Sequence, residues 1–224
     1  AGGTFTLDAS GPSGTFALTS GVANASSSGI STVAFTGTGL GSLSGAIVNG
    51  TGSNVAAVTK SGTGTWILSG TNTYTGTTTV NANSGNLIIN GSTGASNITV
   101  NGGSNLYING STGSGSITMN GTSKLFINGS TGSGNITINN GATLLGTGII
   151  GGNTTIAAGG KLAFNLNSSP ASHDKLELGA SRSLTFSGSS QVTVSGFAEI
   201  GTYTLLTAPG GISGPVPSLV YPDE

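Results

Sequence analysis

Three consecutive stretches of this chain superimpose without a gap, and that repetition constrains the fold more than any other feature. They are NLIINGSTGASNITVNGGS (Asn86 to Ser104), NLYINGSTGSGSITMNGTS (Asn105 to Ser123) and KLFINGSTGSGNITINNGA (Lys124 to Ala142). Leu87, Leu106, Leu125 and Leu144 follow one another at 19 residues, and Ile98, Ile117 and Ile136 keep the same step. Within each unit the apolar period is two: Leu87 and Ile89 point one way, Ile88 and Asn90 the other. These are short strands rich in β-branched residues, bounded by Gly, Ser and Asn turns. No stretch shows helical periodicity.

A unit holding two such strands cannot bury its own apolar face, whereas stacked copies can. The sequence therefore predicts an all-β chain, a right-handed parallel β-helix with coils of about 19 residues and equivalent residues about 4.8 Å apart along the axis. Leucine and isoleucine columns fill its interior. At this period the chain makes about twelve coils over roughly 55 Å. Two faces read strongly, and a third, weaker one runs through the GSTGSG turns. Stacking also places Asn90, Asn109 and Asn128 in one column and Asn101, Asn120 and Asn139 in another, where like amides hydrogen-bond up a ladder. Thr99, Thr118 and Thr137 form a hydroxyl column. Gly91, Gly110 and Gly129 are read as turn glycines with φ > 0.

Three segments are expected. Residues 1–58 repeat less cleanly and read as irregular coils or a cap, with TFTL, TFAL, STVAF and GAIV as strands; Phe16 and Phe35, 19 apart, suggest the same coil. Residues 59–165 are the regular solenoid. Residues 166–224 hold the last coils and a tail in which Pro215, Pro217 and Pro222 cannot donate to a ladder, so the tail is expected across the end or as a linker.

From Thr59 the chain reads TKSGTGTWILSGTNTYTGTTTVNANSGNLIING. This resembles the autotransporter-associated β-strand repeat of bacterial passenger domains, through Lys60, Gly62, Gly64, Trp66, Leu68, Gly70, Asn72, Tyr74, Gly76, Thr78 and Val80. Gly141 to Asn165 resembles it again. SHDKLELGASRSLTF and GTYTLLTAPGGISG resemble the closing coils of such passengers. The resemblance implies a β-helix exported to the bacterial surface or beyond, and it implies no single activity. Such passengers often precede a membrane β-barrel, which these residues do not contain; a barrel outside this stretch, secretion, or another anchor all remain open. A chain beginning at Ala1 reads as a mature product freed of its signal peptide or as a trimmed piece.

Composition gives a neutral, hydroxylated surface, with 42 glycines and much Ser, Thr and Asn. Charged residues are 5% of the chain against roughly 25% in ordinary soluble domains. The formal net charge is −1, so little repulsion separates copies. There is no basic stripe for nucleic acid and no apolar run near the roughly 20 residues of a membrane span. Without cysteine, neither disulfides nor thiolate metal sites form.

Chemistry is sparse. Of the acids, only Asp174 and Glu177 lie close in sequence, around Lys175 and beside His173. That cluster reads either as an acid/base pair, which glycoside cleavage would need about 5–10 Å apart, or as a solvated turn. His173 has no second His or Cys to join it at a metal. No serine is singled out for a triad, and GTGIIGG, with no helix after it, is a turn. The Asn-x-Ser/Thr triplets at Asn90, Asn97, Asn109, Asn128 and Asn135 follow from composition. The chain is therefore expected not to be an enzyme and to need no cofactor or metal.

The candidate contact site is an outward column, Ile88, Tyr107, Phe126 and Leu145, on an otherwise hydroxylated surface. It is expected to meet another chain or to be covered by a segment of its own. The functional expectation is a structural surface protein that self-associates into fibres or matrix, because open solenoid ends and low-charge sides both favour pairing. The alternative is an adhesin or glycan-binding stalk using the Thr and Asn columns with Trp66 or Tyr74.

Overall fold

The computed structural model describes residues 2–11, 15–23, 27–166, 173–196 and 202–221. Among them all regular structure is β, and every pairing between strands is parallel. Two ten-stranded sheets dominate. Sheet one begins at Thr4–Asp8 and sheet two at Thr15–Leu18, and the chain alternates between them coil after coil. Parallel neighbours in one sheet require a crossover, and those crossovers run right-handed. The fold is a right-handed parallel β-helix.

The expected stacking holds in the middle of the chain. Leu87, Leu106, Leu125 and Leu144 lie in register on neighbouring strands, with Trp66 before them and Leu162 after. Each is buried. Ile98, Ile117 and Ile136 form the matching file of sheet one. A single apolar core runs from Leu7 to Phe186. Through the regular coils the third side is a thread of isolated bridges, Thr71 to Ser92 to Ser111 to Ser130 to Ile149. It widens into a three-stranded sheet of Ile149–Ile150, Leu176–Leu178 and Leu206–Thr207, and Val22–Ala23 pairs separately with Ile47–Val48.

Four expectations are corrected. Among the described residues each main sheet has ten strands, against an expected twelve or so coils, giving a rod of roughly 43 Å at the usual strand spacing. The reason is that coils outside the repeat are longer. Thr32 sits over Thr4 and Val58 over Val33, while Leu184 follows Thr154 and Ile212 follows Leu184. Phe16 and Phe35 consequently occupy different sheets: Phe16 pairs with Gly41, and Phe35 with Leu7 and Lys60.

The C-terminal stretch is not a linker. Ile212–Ser213 and Ser218–Val220 add the last strand to each sheet, and Pro215 and Pro217 fall at the corner between them, where no ladder donor is needed. Pro222 lies outside the described residues. Gly91, Gly110 and Gly129 are not among the positive-φ glycines. They are required by close approach: a Cβ on Gly110 would lie 1.9 Å from the Gly91 carbonyl oxygen, and one on Gly129 2.1 Å from that of Gly110.

Candidate functional site

The outer face of sheet two is built by strand alternation. In Asn86–Ile89 the leucine and second isoleucine face inward, so Asn86, Ile88 and Asn90 face out. Repetition turns those three positions into three parallel columns. The central one contains the predicted Ile88, Tyr107, Phe126 and Leu145 in direct register. All four are half-buried by their stacked neighbours. The Tyr107 and Phe126 rings stack with centroids 4.2 Å apart and planes 7° apart.

Amide ladders flank this column. Asn128 Nδ2 donates to Asn109 Oδ1 at 2.9 Å, and Asn109 Nδ2 to Asn90 Oδ1 at 2.9 Å. These amides are solvent-exposed. On the opposite flank Asn105 Nδ2 donates to Asn86 Oδ1 at 2.9 Å, and Asn86 Nδ2 to Thr65 Oγ1 at 3.1 Å. The second predicted ladder lies beyond sheet one: Asn139 donates to Asn120 at 2.8 Å and Asn120 to Asn101 at 3.2 Å.

Two members of this face went unread in the sequence. The Thr65–Asn86–Asn105 ladder carried a visible 19-residue signal between its two asparagines. Ile67, which continues the apolar column before Ile88, did not, because its coil is two residues longer.

The acid-bearing corner assembles no facing pair of carboxylates among the described residues. Glu177 is ion-paired with Lys175. Asp174 Oδ2 accepts the Asn165 backbone N–H at 2.9 Å. His173 Nε2 lies 2.9 Å from the Thr204 carbonyl oxygen, and its ring meets Tyr203 edge-on at 5.2 Å. Asp174 also borders a groove of about 430 Å³ with Phe126, Asn128, Leu145 and Ser195. No group of three or more metal-ligating side chains occurs among the described residues. Nor does any helix there have the length and apolarity to cross a membrane.

Trp66 and Tyr74 are not surface residues, which removes them as glycan platforms. Both are fully buried. Trp66 Nε1 donates to the Thr36 carbonyl at 2.9 Å, and the Tyr74 hydroxyl meets Thr78 Oγ1 at 2.7 Å, which in turn meets Ser96 Oγ at 2.9 Å. Burial pushes the Tyr74 phenol up to about 12. Lys60 is buried as well; its ammonium donates to the carbonyls of Ser61 at 2.9 Å, Gly62 at 2.7 Å and Ser84 at 2.5 Å. Burial pulls its pKa down to about 8. Here the coil narrows: Thr65 follows Leu40, Asn86 follows Thr65, and Asn105 follows Asn86. Large side chains fill the wider bore before the regular repeat begins.

Residues 58–82 match the family model of the passenger-associated-transport-repeat. The residues of the first resembling stretch, from Lys60 to Val80, fall inside this match; Gly141 to Asn165 and the two closing stretches lie outside it. No curated protein matches the chain. Among solved structures, the TibC-catalysed hyper-glycosylated TibA 55–350 fragment is 19% identical over 94% of each chain, with a TM-score of 0.29. The strand registers described above define the fold. The chain thus resembles autotransporter passenger repeat proteins through the matched stretch. Lys60, Trp66, Leu68, Asn72, Tyr74, Thr78 and Val80 in that stretch are all buried. They shape the interior of the rod.

Proposed function

We propose that this chain is a passenger-type stalk at the bacterial surface or outside the cell, a structural protein whose copies associate side by side into fibres or matrix. The observation that carries the reading is the central column of sheet two, with Tyr107 and Phe126 stacked at 4.2 Å on the outside of a rod with so few charges. An apolar stripe of this kind on a near-neutral surface favours association. The passenger-repeat match supports export. No catalytic role is assigned, since each group of the acidic corner is engaged structurally.

Electron microscopy and sedimentation of the purified protein at rising concentration test this. Fibres or lateral bundles are expected, and particles that stay monomeric at high concentration would contradict it. Incubation with common polysaccharides should give no turnover.

The glycan-binding alternative keeps one observation in its favour, the exposed Asn90–Asn109–Asn128 ladder. A glycan array separates the readings: specific hits abolished by Asn109→Ala would favour the adhesin.

A further inference from the structure

We infer that the outer face of sheet two is self-complementary and seats the same face of a second copy, the two rods lying side by side and pointing the same way. This rests on the self-association proposed above and names its surface and orientation.

The ring geometry identifies the occupant. Tyr107 and Phe126 stack on each other along the rod, with planes 7° apart. Their faces are used within the column, and only ring edges point outward. A sugar or a base needs an exposed aromatic face. Ring edges in a row instead fit between the side chains of an opposed sheet, as in a steric zipper. Like side chains stacked from strand to strand form ladders that tie a sheet together. Such ladders flank this column on both sides. The C-terminal strand Ser218–Val220 extends the edge of the sheet and does not lie over its face.

Charge selects the orientation. The strands of sheet two contain no acid, and their basic residues, Lys124 and Lys161, both stand on the Asn86–Asn105 flank. A two-fold axis along the rod swaps flanks and brings Lys124 level with Asn128 of the other copy. In the ladder Asn128 donates to Asn109, which leaves its own Oδ1 turned from the chain of donors and available to the ammonium. A two-fold axis along the strands would instead keep the lysines of both copies on one side.

Area sets the strength. Ten strands at the usual spacing and a width of three columns give a face of roughly 600 Å² per copy, or about 1,200 Å² per pair. That is the lower end for a specific interface. The apolar column from Ile67 to Leu145 is one of the three columns over five of the ten strands, roughly a sixth of that face, so the amide flanks must take part. One pair is therefore weak, and because a two-fold contact closes on itself it makes a dimer; longer fibres need a further contact, such as the open rod ends.

The native chain lacks cysteine, so single-cysteine variants of the full chain map the contact with a short bifunctional thiol cross-linker. Ile88→Cys and Leu145→Cys should each give cross-linked homodimers. Thr118→Cys, on the outer face of sheet one, should remain monomeric. Adding Tyr107→Ser and Phe126→Ser should lower the dimer yield at least about ten-fold, with the β circular dichroism unchanged. Cross-links that form only between Ile88→Cys and Leu145→Cys would overturn the parallel orientation. Equal yields through Thr118→Cys would overturn the choice of face. If wild-type protein forms bundles but neither Ile88→Cys nor Leu145→Cys links, this inference fails and self-association stands. If wild-type protein sediments as a monomer, both fail.

Discussion

Gly41 and Trp66 are register partners in sheet two, and the indole occupies the space a side chain on Gly41 would need. A Cβ there would lie 2.3 Å from Trp66 Cε2. Phe16, on the other side of Gly41, meets the same indole at 5.7 Å, and Phe35 meets it from sheet one at 4.6 Å. Glycine and tryptophan together form the plug where long coils give way to short ones. Gly41→Ala should cost about 1–3 kcal/mol through overpacking, and Trp66→Ala about 3–5 kcal/mol through the cavity it leaves. Shifts in the urea unfolding midpoint check both.

Two glycines of neighbouring turns should respond in opposite ways. At Gly110 an added methyl would strike the Gly91 carbonyl oxygen at 1.9 Å, and backbone cannot step aside cheaply. Gly110→Ala is expected to cost about 2 kcal/mol or more. At Gly102 the nearest atom is 3.5 Å away and φ is not positive. Gly102→Ala should leave stability unchanged or raise it by about 0.4–1 kcal/mol, since it restricts the unfolded chain. Thermal melts of the two variants make the comparison.

The ladder residue Asn109 both donates and accepts. Asn109→Ala removes two hydrogen bonds at an exposed site, a loss of about 1–2 kcal/mol. Asn109→Asp should be worse than its size suggests, because a carboxylate cannot donate to Asn90. Asn120→Ala, half-buried, should exceed Asn109→Ala. Denaturant titration of the variants ranks them.

Stability should pass through a maximum at alkaline pH. Lys60 titrates at about 8 in the folded chain, below its ordinary 10.5. Between those values the unfolded chain holds a proton that the folded one lacks, so stability rises with pH. Tyr74 titrates at about 12 when folded, above its ordinary 10.0. From pH 10 upward the folded chain keeps a proton that the unfolded one loses, so stability falls. Lys60→Met should abolish the rising arm and Tyr74→Phe the falling arm. Urea midpoints from pH 7 to 11 measure the two slopes.

The middle of the rod was legible because its coil length is constant. There a fixed sequence spacing is a fixed place in space, so the Leu87 file and both asparagine ladders could be read directly. Where coils lengthen, equal spacing loses that meaning: Phe16 and Phe35 sit 19 residues apart in different sheets. Ile67 escaped notice for the same reason. Gly110 was read through local turn chemistry, yet its constraint is the carbonyl of the coil before it, a contact no local pattern contains. Trp66 and Tyr74 stand in polar sequence that suggests a surface, and they are buried because the wider coils around them leave space to fill.

The most direct test exploits the absence of native cysteine. In the double variant Thr118→Cys with Thr137→Cys the two residues are register partners on adjacent coils, a separation of about 4.8 Å that falls within the Cα range of a disulfide. Oxidation should bridge them within one molecule. Thr99→Cys with Thr137→Cys lie two coils apart, about 9.6 Å, and should stay reduced. Efficient bridging of the second pair, or none in the first, would contradict a rod in which residues one coil apart lie directly over one another.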